Sequence, residues 1–248
     1  FRTGCALIDA AAEAGCDGVK FQNYRTADFV KSKDETILFK RADGEDYTEN
    51  RWALFQRHEL SLEELRGYSI RAKDRGLFFH ATPTGESGVR DLVVLGAACI
   101  KNGSDMLWNI PLIRSMQESG LPVVLSAGDP ASASGVSSLW RIVVTMEFMR
   151  KGGTPHIWLH CVSRYPATCD PALGVMADLR AAGRGVPVGY SDHTLGPEAA
   201  VSAVVDHGAC WLEKHLTLDK SMSGPDHWWS ADVREMKEIV RRIREAGR

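Results

Sequence analysis

Val186-Pro187-Val188-Gly189-Tyr190-Ser191-Asp192-His193-Thr194, then residues 197–207, then Ala209-Cys210-Trp211-Leu212-Glu213-Lys214-His215: the fold turns on this stretch. Two short apolar runs of strand character flank a segment with helical periodicity. A strand, a crossover helix and a second strand make a parallel pair. Each run ends in a polar, ionisable cluster, and each cluster holds a histidine with a carboxylate within two residues. Parallel strands that deliver polar residues at their C-terminal ends are how a (β/α) barrel builds an active site on one face. Neighbouring strands that each present a histidine form half a site for a divalent metal. The same residues also admit a plainer reading, two unrelated loop histidines.

The alternation continues outward from this unit. Residues 6–14 read as a helix stopped by Gly15, and Gly18-Val19-Lys20-Phe21-Gln22 as a strand. Residues 23–60 form a long, charged connection, a length that marks a functional loop or a small insertion. Ser61 is placed as an N-cap with Glu64 at the third helical position, starting a helix that runs to Asp74. Strands follow at 77–81, 98–101, 122–126, 156–161, 186–190 and 209–213. Helices are expected at 86–95, 110–119, 134–150, 171–182, 197–207 and 232–246. Seven strands and eight helices in strict alternation, beginning with a helix, predict an α/β fold. Its form is a (β/α)8 TIM barrel whose first strand is absent from the sequence. An open doubly wound sheet is the alternative, but the glycine-rich phosphate turn that usually follows its first strand is not seen.

Composition and length suit one large α/β domain or two small ones, and the alternation favours a single barrel domain over residues 1–248. The chain is 44% hydrophobic and 25% charged, ordinary values for a globular protein, and a single barrel takes about 250 residues. A net charge of −2 creates no field favouring nucleic acid or an anionic membrane. No apolar run approaches the roughly 18 residues of a membrane span, and no signal peptide opens the chain. The six cysteines, at 5, 16, 99, 161, 169 and 210, form no CxxC pair and lie mostly in apolar segments. They are expected to be buried, reduced thiols in a cytoplasmic protein.

In a barrel, the residues at the strand ends share one cavity. Here they are Lys20, Gln22, Thr82, Lys101, Ser104, Ser126, Ser163, Tyr165, Ser191, Asp192, His193, Glu213 and His215. Lysines in such places serve as Schiff-base amines or as clamps on phosphate and carboxylate. Two lysines among several hydroxyls fit the clamp better. Lys20, between Val19 and Phe21, would be costly facing inward without an anionic partner. The residues therefore point to a small, multiply anionic substrate beside a divalent metal, with a metal-polarised carbonyl or a metal-activated water.

Several blocks in order carry a family resemblance. They are Ala14-Gly15-Cys16-Asp17-Gly18-Val19-Lys20-Phe21-Gln22, Glu59-Leu60-Ser61, Thr82-Pro83, Lys101-Asn102-Gly103-Ser104-Asp105 and Asn109-Ile110-Pro111-Leu112. Leu125-Ser126-Ala127-Gly128, His160 to Pro166, Gly189 to Thr194, Glu213-Lys214-His215 and Gly224-Pro225-Asp226-His227 with Ser230 complete the set. Over nearly its whole length the chain resembles the catalytic barrel of the sialic acid synthase family, the N-acetylneuraminate synthases and their legionaminate and pseudaminate relatives. The resemblance implies condensation of phosphoenolpyruvate with an N-acetylated amino-sugar aldehyde of the N-acetylmannosamine type. The products are a nine-carbon 2-keto sugar acid and phosphate. It implies a divalent metal on His193 and His215, Mn²⁺ first, with Mg²⁺ or Co²⁺ as other choices. Lys20, Thr82, Lys101, Ser104, Ser126 and Ser191 match positions that hold phosphoenolpyruvate, and Ser163 stands where some members have Asn. Tyr165, Glu213 and Asp226 match the phosphate or sugar side, and the implied catalytic set is His193, His215, Glu213 and Asp226.

The family also implies a homodimer, because a C-terminal antifreeze-like domain supplies a sugar-binding arginine across it. That domain, and a first strand bearing Glu-x-Gly-x-Asn-His, have no counterpart in this sequence. Ala127 replaces a usual Thr, Thr84-Gly85 replaces an apolar–acidic pair, and Trp228-Trp229 is an unusually bulky pair near the sugar end. A catalytically degenerate barrel serving binding or assembly, and a metal-dependent aldolase or lyase with another carbonyl acceptor, stay open as alternatives.

Overall fold

The computed structural model describes residues 1–41, 43–128, 139–168 and 170–247. Helix α1 (Arg2–Ala14) leads into β1 (Gly18–Asn23). The long connection holds α2 (Thr26–Phe29), β2 (Thr36–Lys40), β3 (Asp46–Asn50) and α3 (Arg51–His58). Then come α4 (Leu62–Asp74), β4 (Phe78–Pro83), α5 (Glu86–Val94), β5 (Ile100–Asn102), α6 (Ile110–Glu118) and β6 (Val123–Ser126). The chain continues through α7 (Leu139–Gly152), β7 (His156–Cys161), α8 (Val175–Ala182), β8 (Val188–Asp192), α9 (Glu198–Val205), β9 (Leu212–Lys214) and α10 (Val233–Glu245).

Seven strands form one parallel sheet in the order β1-β4-β5-β6-β7-β8-β9, while β2 and β3 pair separately as an antiparallel hairpin. Sequential order without a reversal excludes the doubly wound alternative, whose sheet turns back at a switch point. The sheet curls far enough for Lys20 on β1 to reach Glu213 on β9 at 2.5 Å. Helix α1 packs against α10, and Arg244 meets Asp17 at 2.5 Å. No backbone ladder joins β1 to β9 among the described residues. The expected α/β fold is present as a curled parallel sheet of seven strands, a half-barrel of TIM type among the described residues.

Local chemistry explains most element boundaries. Ser61 Oγ accepts from the Glu64 amide at 3.1 Å and Glu64 Oε2 accepts from the Ser61 amide at 2.9 Å, the reciprocal capping box expected for α4. Two strands run two residues past their expected ends, because the ladder carries on through polar residues: β4 includes Thr82, and β8 includes Ser191 and Asp192. The expected start of α7 at Ser134 lies outside the described residues. The expected helix at 171–182 begins only at Val175. The extra strands and α-helices all fall within the 23–60 connection, and a short 3-10 turn over Ser104–Met106 follows β5.

Two apolar layers hold the sheet. Ile8, Leu65, Leu92, Ile113, Met116, Leu125, Trp158 and Tyr190 are buried in the layer that holds the helices against the sheet. Inside the curl, Cys99, Val124 and Leu159 pack with Ile157 and Trp211 into a floor, and Phe78 lies 5.4 Å from the Trp211 ring. A Cβ on Gly189 would stand 2.3 Å from the Trp211 carbonyl oxygen, so glycine is what lets the floor close there. No helix among the described residues is long and apolar enough to cross a membrane. Cys99 and Cys161 are buried free thiols and Cys5 and Cys16 are half-buried. Cys210 corrects the expectation of burial, since it is exposed, and Cys169 lies outside the described residues.

One residue works against the outer layer. Asn102 is 0% exposed, and both its amide atoms lack a partner. It alternates with the inward Lys101 and so faces the same side as Ile100. Replacing Asn102 with Leu is expected to raise stability by about 1–3 kcal/mol, the cost of an unsatisfied buried polar group. The check is a higher urea midpoint at unchanged slope.

Candidate active site

Strand alternation decides which side chains enter the cavity. Lys20 lies in register with His80, and Ser191 with Glu213. These four join Lys101 and Ser126 above the apolar floor. Glu213 Oε1 accepts from Lys20 Nζ at 2.5 Å and from Ser191 Oγ at 3.2 Å, and Lys101 Nζ is 3.9 Å away. Lys101 Nζ donates to Ser126 Oγ at 2.7 Å and to its neighbour's carbonyl, Asn102 O, at 3.0 Å. Burial alone would raise the Glu213 carboxyl, but the charges of Lys101 and Lys20 outweigh it and hold the group far below the usual carboxylate range. Burial lowers the Lys101 ammonium, with Glu213 opposing the shift. Two ammonium groups around one carboxylate leave one net positive charge, a cradle for an anion.

His80 sits at the base of this cradle with its Nδ1 buried and unpartnered. Burial pushes its pKa from 6.5 down to about 3. Between these values the unfolded chain binds a proton that the folded chain refuses, so stability rises with pH there. His80 contributes that stability fully above about pH 6.5 and loses it as the pH falls toward 3. Urea midpoints should drop between pH 6.5 and 4, and less steeply in His80→Leu; parallel curves for the two proteins would contradict this.

The rim is built on a buried ion pair facing the opposite way. Asp192 and Lys214 are in register and meet at 2.5 Å, almost inaccessible to solvent. Asp192 Oδ1 also accepts from the Thr194 amide at 2.9 Å, from Thr194 Oγ1 at 2.8 Å and from the Tyr190 hydroxyl at 3.2 Å. The expectation that Asp192 faces the cavity is therefore corrected. It lies on the Lys214 side and locks the turn that projects His193.

His193 Nδ1 lies 2.9 Å from the Val162 carbonyl, which can only accept, so Nδ1 carries the proton and Nε2 is left free. The His193 and His215 rings are 5.6 Å apart at 69°. Burial lowers His193 to about 4 and His215 well below its ordinary value, so both stay neutral, the form that binds metal. These two imidazoles are the residues that would hold a divalent ion. Among the described residues no cluster of three or more His, Cys, Asp or Glu accompanies it. Water or substrate would complete the coordination, as in open catalytic sites.

The remaining expected residues surround these two groups. Ser104 Oγ and Ser163 Oγ are 2.8 Å apart, and Cys161 Sγ lies 3.8 Å from Ser163. Thr82 is buried one pleat above His80. Tyr165 lays its ring 4.3 Å from His193. Asp226 is exposed, and the protein atoms around it desolvate its carboxyl enough to raise it to about 6. The Asp226 turn is tied down by Trp228 Nε1 donating to Lys40 O at 3.0 Å, by Ser230 Oγ donating to Asp226 O at 2.6 Å, and by a 2.8 Å contact between His227 and Thr217. The first of these bonds attaches the β2–β3 hairpin to the turn. Trp211, His80 and Lys214 were not singled out as site-forming by sequence. The alternation Phe78-x-His80-x-Thr82 was the available signal for His80.

Residues 7–248 match the NeuB family model, a span that holds every one of these groups. The chain belongs to the NeuB family. The resemblance carried by the motifs therefore holds. The NeuB chain is 38% identical to the uncharacterized protein MJ1065 of Methanocaldococcus jannaschii, covering 97% of this chain and 65% of the relative. It is 34% identical to the N,N'-diacetyllegionaminic acid synthase of Legionella pneumophila, covering 97% of this chain and 66% of that one. This NeuB chain thus spans about two thirds of the length of these curated relatives. The N-acetylneuraminic acid (sialic acid) synthetase of Leptospira borgpetersenii, solved in complex with citrate, superposes with a TM-score of 0.84 at 29% identity. That match covers 99% of this chain and 78% of the solved one.

Proposed function

We propose that this protein condenses phosphoenolpyruvate with an N-acetylated amino-sugar aldehyde, giving a nine-carbon 2-keto sugar acid and phosphate. The observation that carries the reading is the stacking of two sites: the Lys20–Glu213–Lys101 cradle lies deep, and the His193–His215 pair stands at the rim above it. A small polyanion fits the cradle, where Lys20, Lys101, Ser126 and Ser191 offer ammonium and hydroxyl donors. Thr82, Ser104 and Ser163 add hydroxyls beside it. A carbonyl acceptor enters past Tyr165 and Asp226.

In the reaction, C3 of the enol bonds to the aldehyde carbon and the aldehyde oxygen gains a proton. Water adds at C2 and gives up one proton, balancing the one gained at the aldehyde oxygen; the bond from C2 to the phosphate oxygen then breaks as the C2 hydroxyl becomes the keto group, and the hydroxyl proton leaves with phosphate. Asp226, raised to about 6, can hold and release a proton near neutral pH at the acceptor end. A divalent ion held by His193 and His215, Mn²⁺ first and Mg²⁺ or Co²⁺ otherwise, would supply Lewis-acid polarisation of the acceptor carbonyl. The same reading includes a cytoplasmic homodimer.

The test is phosphate release from phosphoenolpyruvate with Mn²⁺. The acceptor panel is N-acetylmannosamine, its 6-phosphate and the 2,4-diacetamido-trideoxyhexoses, with an EDTA control. Release with one sugar, lost in EDTA, establishes the reaction and names the acceptor. Binding of phosphoenolpyruvate without release for any sugar sets the condensation reading aside.

A further inference from the structure

The two rim histidines are held in different ways. His193 has a ring nitrogen bonded to the Val162 carbonyl at 2.9 Å. His215 makes no side-chain hydrogen bond among the described residues. Histidines that bind metal usually donate their second ring N–H to an outer partner, which fixes ring plane and tautomer. What meets His215 instead is an aromatic ring: the Trp229 indole lies 4.5 Å away, inclined at 51°. Trp229 is 2% exposed and also packs 5.7 Å from Tyr165 and 6.3 Å from His193.

Trp229 is itself well fixed. Its Nε1 donates to Pro225 O at 3.2 Å. Two residues on, the Ala231 amide donates to His215 O at 2.9 Å, and the Thr217 amide donates back to Ala231 O at 2.9 Å. The segment carrying the indole is therefore bonded to the segment carrying the imidazole, so the two rings cannot drift apart while these bonds hold.

We propose that Trp229 is a positioning residue for metal uptake: contact with its indole ring sets the plane of the His215 ring, as the Val162 carbonyl does for His193. The inference rests on the reading of His193 and His215 as metal ligands. It concerns affinity for the ion and does not depend on which acceptor is used.

The experiment is Mn²⁺ titration followed by the electron paramagnetic resonance signal of the free ion, on the wild-type protein, Trp229→Phe, Trp229→Leu and Trp229→Met. Phe keeps an aromatic face; Leu and Met keep apolar bulk without one, and Met serves where Leu does not fold. Thermal midpoints establish that each variant is folded. Wild type and Trp229→Phe should agree within about threefold, while Leu or Met weakens binding about tenfold, the lower end for losing an outer partner. Leu or Met variants that are folded and bind as tightly as wild type would overturn the inference alone. So would a Phe variant weakened as much as they are. Absence of Mn²⁺ uptake by the wild-type protein would overturn the metal reading and the inference together.

Discussion

His215→Ala is expected to abolish phosphate release and to weaken Mn²⁺ binding by at least about a hundredfold, the upper end of what loss of an outer partner costs. A ligand pair reduced to one imidazole no longer chelates. The fold should survive. The His215 side chain has no hydrogen-bond partner to orphan among the described residues, so the loss is packing against Trp229 and Tyr165, on the order of 1–3 kcal/mol. His193→Ala should match it in activity and cost about 1 kcal/mol more, because it strips the Val162 carbonyl of its donor. Measured together, metal affinity, turnover and thermal midpoint separate a lost ligand from a lost fold. Normal turnover by either variant after metal stripping would remove the metal from the mechanism.

Lys101→Met should weaken phosphoenolpyruvate binding about a hundredfold while leaving the fold intact or slightly more stable. Lys101 is 2% exposed and donates to Ser126 and to Asn102 O, so a bound anion would meet a desolvated ammonium. A charge-assisted hydrogen bond to such a group is worth about 1.5–3 kcal/mol. The protein should tolerate the change because Glu213 keeps Lys20 at 2.5 Å, and methionine fills the stem's volume without a buried charge. Calorimetric titration with phosphoenolpyruvate reads the first effect and urea unfolding the second. An unchanged affinity would end the clamp as an account of the lysines.

The barrel-like alternation was legible because each β-strand is a short apolar run and each connection has a helical period. The histidine pair was legible because both residues stand at equivalent strand ends. What sequence could not place was the exact last residue of each strand. Ending β8 at Tyr190 instead of Asp192 treats Ser191 and Asp192 as one loop cluster. The ladder puts them on opposite faces, Ser191 with Glu213 in the cavity and Asp192 with Lys214 outside it. One pleat separates a substrate contact from a structural pin. The role of Glu213 was partly hidden for the same reason: its partner Lys20 is 193 residues away and meets it only once the sheet has curled. The insertion showed its length but not its hairpin: Thr36–Lys40 is apolar at its centre yet leaves Leu38 exposed, and Asp46–Asn50 is mainly polar, so neither run has the apolar-in, polar-out alternation of a core strand.

The long reach of these contacts has a kinetic consequence. Lys20–Glu213, Lys40–Trp228 and Asp17–Arg244 join positions 193, 188 and 227 residues apart. Such closures come at a large entropic disadvantage until the intervening chain is compact, and folds rich in them are slow. The cradle needs β1 and β9 together, and the rim needs β8 and β9. A chain still emerging in order from its N-terminus holds Lys20, Lys101 and Ser126 early, yet has neither Glu213 nor His215 until its last strand arrives. Ligand competence should therefore appear in a refolding experiment as the final phase, after helical content has recovered.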